Sequence, residues 1–393
     1  MHIIESYATH CGLRIDKPWI YETYYPISSS KYITLQPAGG ADVRDYDYWH
    51  EVIAYIHPHL SKRGIDIVQL GTEKDKVLPN CINTQGQTSL SQFAYIVKGS
   101  SLHMGVDSVG IHMASGYDKK IVGLYCNQWT RSSGPYWSKK EDIVLHEPNR
   151  DGIKPSFSLM ENPKTINEIS AEKVAQSVLD LLGIDEKIPF ERVFVGKNYA
   201  EELIQNIPTS VAQLKSINAP IVIRMDILHN EEILENQFQL PNKVVVCTNK
   251  PINMNILANN KAKIQNLVYY IDHDNDIQFV RSLKEAAIPF SLMTRLQPEE
   301  YEKYKINYFD YGFIFRKTET AEDAAKLQEL DLSKLMFKTN KKILKDGKCY
   351  NSVSTLEKDL PQSDPSTASF QQVVDSPLFW EYLDEAYVVK KLD

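Results

Sequence analysis

The chain has 393 residues, more than one hydrophobic core usually organises, so its length points to two domains with room for a small third element. Apolar residues at 42% and charged residues at 24% are ordinary globular values and exclude a largely disordered chain. A formal net charge of -7 excludes any general attraction to a phosphate backbone or an anionic lipid surface, and leaves a local basic cleft as the only route to nucleic acid.

No apolar run reaches the roughly 20 residues needed to cross a bilayer. Met1-His2-Ile3-Ile4-Glu5 lacks the basic-then-apolar order of a secretory leader, so the expected location is the cytoplasm. Cys11, Cys81, Cys126, Cys247 and Cys349 lie far apart with no CxxC spacing, which fits reduced thiols better than a disulfide frame or a zinc site.

In chain order, Ile3, Ile4, Tyr7 and Cys11 recur at helical spacing, and Lys17-Pro18-Trp19-Ile20-Tyr21 follows, so residues 1–30 read as a helix and a linker. Ile33-Thr34-Leu35 reads as a strand, and Trp49, Val52, Ile53, Ile56 and Leu60 form a helical stripe. Ile67-Val68-Gln69-Leu70 is the next strand; Leu90, Phe93, Ala94 and Val97 repeat the stripe. Leu102-His103-Met104-Gly105 and Ile121-Val122-Gly123-Leu124-Tyr125 are the strands after it. Ser170 is placed to cap a helix through Leu182, with Gly183 as its stop. Residues 31–185 therefore read as an α/β domain around a parallel sheet with helices on both faces.

A second series follows over residues 190–330, with strands at Val193-Phe194-Val195, Ile221-Val222-Ile223, Val244-Val245-Val246, Leu267-Val268-Tyr269-Tyr270 and Phe290-Ser291-Leu292-Met293, and a helix from Phe279 to Ala287. It reads as a second doubly wound domain. Residues 331–393 are a C-terminal extension. In it Lys334 to Lys342 packs four lysines among apolar residues, as a solvated strand or a contact for an anionic acceptor, and Phe379-Trp380-Glu381-Tyr382-Leu383 reads as a docking helix.

Ligands of open parallel sheets bind beyond the carboxyl ends of the strands, so the loops there carry the chemistry. After Leu35, Gly39 and Gly40 let backbone N–H groups approach an anion and Arg44 adds charge; the alternative is a glycine turn beside a solvated arginine. After Leu70, the Glu73 carboxylate can accept from ribose hydroxyls. Thr88 and Ser89 open a helix whose free N–H groups suit an anion, or simply cap it. Asp107-Ser108-Val109-Gly110-Ile111-His112 follows a strand and starts a helix: small residues leave N–H groups open, Asp107 can orient ribose, metal or backbone, and His112 lies one turn in, within reach of a phosphate.

These features resemble the family-nine glycosyltransferases, the ADP-heptose:lipopolysaccharide heptosyltransferase group of GT-B architecture. The resemblance covers about residues 1–182 and rests on the Gly39-Gly40…Arg44 loop before Tyr48-Trp49, the Thr88-Ser89-Leu90 helix start, and Asp107 to His112. It implies that Arg44, Thr88, Ser89, Asp107, Ser108, Gly110 and His112 contact a nucleotide-sugar donor, with Glu73 at the ribose. The family has glycine directly after Asp-Ser/Thr, whereas Val109 intervenes here before Gly110. The family also places its acceptor domain first; here either that half is absent or residues 190–330 supply it across a cleft in a permuted order, donor half first, and the need for a closed site that excludes water favours the second.

The activity so implied is transfer of a sugar from a nucleotide diphosphate sugar to a hydroxyl, with inversion and without a metal or other cofactor. The departing diphosphate would be stabilised by Arg44 and the helix starts, and the acceptor proton taken by a base from the second domain. Asp226, in Ile223-Arg224-Met225-Asp226, is the leading base, with Asp272, His273 and Asp274 in reserve. Three readings stay open: a saccharide acceptor, a modified base in phage-type DNA, and a non-catalytic nucleotide- or sugar-binding protein.

Overall fold

The computed structural model describes residues 1–200, 203–212, 221–271, 276–296, 298–316, 321–362 and 369–393. The chain divides into two compact units, Met1–Phe190 and Glu191–Asp393. Residues 1–30 and 331–393 are thus parts of the two units and not appendages to them. Among the described residues no helix is long and apolar enough to cross a membrane.

The first unit is built on strands β1 (Tyr32–Gln36), β2 (Asp66–Gln69), β3 (Ile82–Asn83), β4 (Leu102–Val106), β5 (Lys120–Leu124) and β6 (Ile143–His146). They form one sheet in the order β3-β2-β1-β4-β5-β6, every pair parallel. This is the doubly wound order, whose direction reverses between β1 and β4. Strands β1 and β4 are buried along their whole length, as the middle of a sheet covered on both faces requires. The short strands β3 and β6 carry only two and four residues, too few to stand out by composition.

The helices of this unit are α1 (Ile3–Cys11), α2 (Trp49–Ser61), α3 (Leu90–Gly99), α4 (Val109–Gly116), α5 (Thr130–Ser133) and α6 (Ala171–Leu182). Helix α2 buries Trp49, Val52, Ile53, Ile56 and Leu60, the stripe the sequence displays. Helix α6 starts with the Ser170 hydroxyl accepting from Lys173 N–H and ends at Gly183 in the left-handed region, φ 70°, as the cap residues dictate. Helix α1 has the right periodicity but buries no residue.

The second unit contains β7 (Phe190–Val195), β8 (Ile204–Asn206), β9 (Ile221–Arg224), β10 (Val244–Thr248), β11 (Ile264–Ile271), β12 (Phe290–Thr294), β13 (Ile314–Arg316), β14 (Leu335–Lys338), β15 (Lys342–Lys345), β16 (Lys348–Tyr350), β17 (Gln371–Gln372) and β18 (Tyr387–Lys391). Its large sheet runs β13-β12-β11-β10-β9-β8-β15-β16, parallel from β13 to β15 and closed by the antiparallel β15–β16 pair.

Here the expectation of a second doubly wound domain is corrected. Strands β8 to β13 follow one another in sequence order without reversal, and right-handed crossovers then put every connecting helix on the same face. The helices α7 (Glu231–Phe238), α8 (Met254–Asn259) and α9 (Ile277–Glu285) do so: Leu234, Phe238, Leu257, Phe279, Val280 and Leu283 pack with Ile221, Ile223, Val244, Val246, Leu267 and Leu292 in one core. The intervening side chains of the same strands point to a face without those helices.

The segment Val193-Phe194-Val195 does not open this sheet. It lies in β7, within a separate four-stranded sheet of order β17-β14-β18-β7 made otherwise from the C-terminal residues. The lysine-rich segment is likewise not a solvated strand. Leu335 and Phe337 of β14 are fully buried, and Lys338 and Lys341 are buried with them. Lys341 Nζ lies 3.0 Å from Glu385 Oε1, and Lys338 stands over the Phe370 ring. The expected docking helix is a five-residue turn of helix, Pro377–Glu381, whose Phe379 is part of the core.

Candidate functional site

The carboxyl ends of β1 and β4 bring together the loops of Gly39-Gly40-Arg44 and Asp107 to His112. Ala41 leads into a single 3-10 turn, Asp42–Arg44, that buries Val43 and turns Arg44 back across the sheet. Its Nη1 donates to the carbonyl oxygen of Asp107 at 2.7 Å. Gly39 lets the loop fold over this side chain, since a Cβ there would stand 2.9 Å from Arg44 Cβ. Gly40 adopts φ 71°, a conformation that favours glycine. Gly39 N–H donates to Asp45 Oδ1 at 3.3 Å, and burial pushes the Asp45 carboxyl up.

Helix α4 begins at this switch point, and the Ser108 side chain caps none of its N–H groups. The capping comes from β1 instead. Gln36 Oε1 accepts from Gly110 N–H at 2.9 Å, while Gln36 Nε2 donates to Ser108 Oγ at 2.9 Å. Gly110 has to be glycine, because a Cβ would lie 2.6 Å from both Gln36 Oε1 and His103 Nε2. His103 is fully buried behind it, its Nδ1 paired with Thr34 Oγ1 at 3.0 Å and its Nε2 without a partner among the described residues. Burial pulls its pKa down to about 3, so the ring is neutral.

Asp107 continues the sheet, donating its N–H to the Leu124 carbonyl at 3.0 Å. Its carboxylate side chain, 7% exposed, sits 3.7 Å from His112 Nε2 and accepts from Ser133 Oγ at 3.5 Å. The His112 side chain is 38% exposed. The arrangement has the makings of an anion site: a guanidinium anchored by one nitrogen, a histidine at the surface, and a helix start whose geometry is set by glycine.

Thr88, Ser89 and Glu73 gather elsewhere, in the loops after β2 and the edge strand β3. Strand β3 is two positions from β1, about 10 Å across the sheet. The Ser89 hydroxyl accepts from Gln92 N–H at 3.3 Å and Ser89 N–H donates to Gln92 Oε1 at 2.9 Å, a complete capping box. Glu73 is exposed, against Gly86 of the neighbouring loop. Gln36, His103 and Ser133 escaped the sequence reading. Gln36 carried a signal, a polar residue at the end of an apolar strand, while the other two carried none.

In the second unit Asp226 is not the free carboxylate expected of a base. Arg224 Nε donates to its Oδ1 and Arg224 Nη2 to its Oδ2, each at 2.8 Å, and Arg295 Nη2 donates to Oδ2 at 3.1 Å. The Asp226 side chain is 1% exposed. Burial pushes this carboxyl up, but hydrogen bonds from Arg224 and the charges of Arg224 and Arg295 outweigh it and hold the group below the usual carboxylate value. Both oxygens are engaged by guanidinium groups and the affinity for a proton is low, the reverse of what a general base needs. Tyr382 OH accepts from both arginines, at 3.1 and 2.8 Å, Arg295 lies 4.2 Å over the Tyr270 ring, and Glu381 Oε1 stands 3.1 Å from Arg295 Nε without hydrogen-bond alignment. The reserve candidates Asp272, His273 and Asp274 lie outside the described residues.

Residues 10–157 match the model of glycosyltransferase family 9 (heptosyltransferase). The lipopolysaccharide core heptosyltransferase OpsX of Haemophilus influenzae is 23% identical over 171 residues, 42% of this chain and 44% of that protein. Among solved structures, the ADP-heptose lipopolysaccharide heptosyltransferase II of E. coli aligns at 18% identity and a TM-score of 0.31, over 46% of this chain and 52% of that one. A family 9 glycosyltransferase of Veillonella parvula aligns at 18% and 0.33, over 45% and 49%. The chain spans about half the length of the relatives it matches. The resemblance read from the loops therefore stands where it was placed, in the first unit: residues 10–157 match glycosyltransferase family 9, the heptosyltransferases.

Proposed function

We propose that this protein is a glycosyltransferase whose first unit binds a nucleotide diphosphate sugar at the β1/β4 switch point and whose acceptor is a saccharide hydroxyl. The observation that carries the reading is the convergence of Arg44, the Gly39-Gly40 turn and the start of α4 at the carboxyl ends of the central strands β1 and β4, within the segment that matches the family. Arg44 and the positive end of α4 would stabilise the diphosphate as it departs, and His112 is placed to add a donor. The resemblance to family 9 favours displacement with inversion, and these groups could stabilise the leaving diphosphate without a metal. The relatives' names make an ADP-linked heptose the first donor to try.

The ion-paired Asp226 takes no part in this mechanism. Calorimetric titration of the full chain with ADP, UDP, GDP and CDP tests the donor site. Binding of one of them, lost or weakened in Arg44→Ala, supports the reading; binding of none overturns it.

A further inference from the structure

Because β8 to β13 are wound in one direction, one face of the second unit's sheet carries no connecting helix among the described residues. That face holds a cavity of about 390 Å³, within the range of small-molecule sites. Its floor is Val222, Val245, Cys247, Val268, Tyr270 and Met293, side chains from four adjacent strands that alternate with the core-facing ones. Asn198, Tyr382 and Asp384 form a wall.

Asp384 is 8% exposed, and its Oδ2 accepts from Asn198 Nδ2 at 2.7 Å. Its Oδ1 is buried and has no partner among the described residues. A buried carboxylate oxygen without a donor is costly, and a ligand donor would remove that cost. The wall cannot easily move aside to satisfy it. Asn198 N–H donates to the Asp384 carbonyl at 2.9 Å, and Gly196 packs so closely that a Cβ there would lie 2.1 Å from the same oxygen. The lining carries Arg224 and Lys197 against Asp384 and Glu385, and Asp226 pairs Arg224 from behind, so an anionic ligand gains little.

We propose that this cavity binds a neutral, largely apolar molecule of ring-system size that carries one hydrogen-bond donor, with its body on the valine floor and its donor on Asp384. The site lies wholly in the second unit and stands apart from the donor site. N-phenyl-1-naphthylamine, neutral with a single N–H, is a suitable fluorescent probe for the full chain. The expected result is saturable one-to-one binding, abolished by Val245→Trp, which fills the floor, and weakened about tenfold by Asp384→Asn, whose amide oxygen still accepts from Asn198. Circular dichroism melting identifies any variant that fails to fold, in which case Asp384→Asn alone decides. Arg44→Ala should leave probe binding unchanged, which separates this site from the donor site. Absence of saturable binding, or equal binding by wild type and folded Asp384→Asn, overturns the proposal.

Discussion

Arg44 and Asp107, 63 positions apart in sequence, are joined by a 2.7 Å hydrogen bond from the guanidinium Nη1 to the Asp107 carbonyl oxygen. The bond ties the loop after β1 to the loop after β4 across the point where the strand order reverses. It uses the arginine to hold the two loops, while its Nε has no partner among the described residues.

Arg44→Ala is expected to weaken binding of the preferred nucleoside diphosphate by about 1.5–3 kcal/mol, roughly 10- to 150-fold in Kd. Loss of the Asp107 bond should lower the thermal midpoint only slightly. Titration calorimetry with a parallel melt measures both. Unchanged affinity would make Arg44 a loop brace alone.

Gly110→Ala should be more damaging to the fold. The new methyl would sit 2.6 Å from His103 and from Gln36 Oε1, and neither is the loose end of an exposed side chain. Overpacking of this kind costs about 1–3 kcal/mol. Urea unfolding gives the value, and a midpoint equal to that of the wild type would show that β1 and α4 can separate freely.

His103 and His146 both have pKa values pulled down by burial, to about 3 and about 4. In the unfolded chain each titrates near its ordinary value of about 6.5, so below that pH the unfolded state binds protons that the folded state refuses. Their contribution is complete above about pH 6.5 and is lost as pH falls through about 4 for His146 and about 3 for His103, at about 1.4 kcal/mol per pH unit for each ring. Chemical denaturation from pH 7.5 to 4.5 should show a slope that becomes shallower in His103→Gln. An unchanged slope would mean that the ring charges inside the fold.

Asp226→Asn removes the charge that pairs two guanidiniums, one of them almost fully buried. Breaking a buried pair from one side costs about 3–5 kcal/mol, so the second unit should melt at a lower temperature. Donor affinity in the first unit should not change. If Asp226→Asn instead retained full stability and lost transfer, the carboxylate would be a catalytic group after all.

Local patterns were legible in the sequence because they follow from nearest neighbours along the chain. The Ser170 and Gly183 caps marked α6, the apolar stripe marked α2, and the glycines and Arg44 marked the loop beyond β1. The alternation of strand and helix was enough to expect parallel sheets in both units. What the sequence did not hold was the order of the strands. Periodicity shows which side of a strand is apolar but not which strand lies beside it, so a doubly wound and a singly wound sheet read alike until the pairing is known. The same limit applied to charge. Asp226 reads as an available carboxylate at a strand end, and Lys341 as one of a run of exposed lysines. Only the tertiary structure brings Arg224, Arg295 and Glu385 to them, because the strength of an ion pair depends on a distance and a burial set by residues far along the chain.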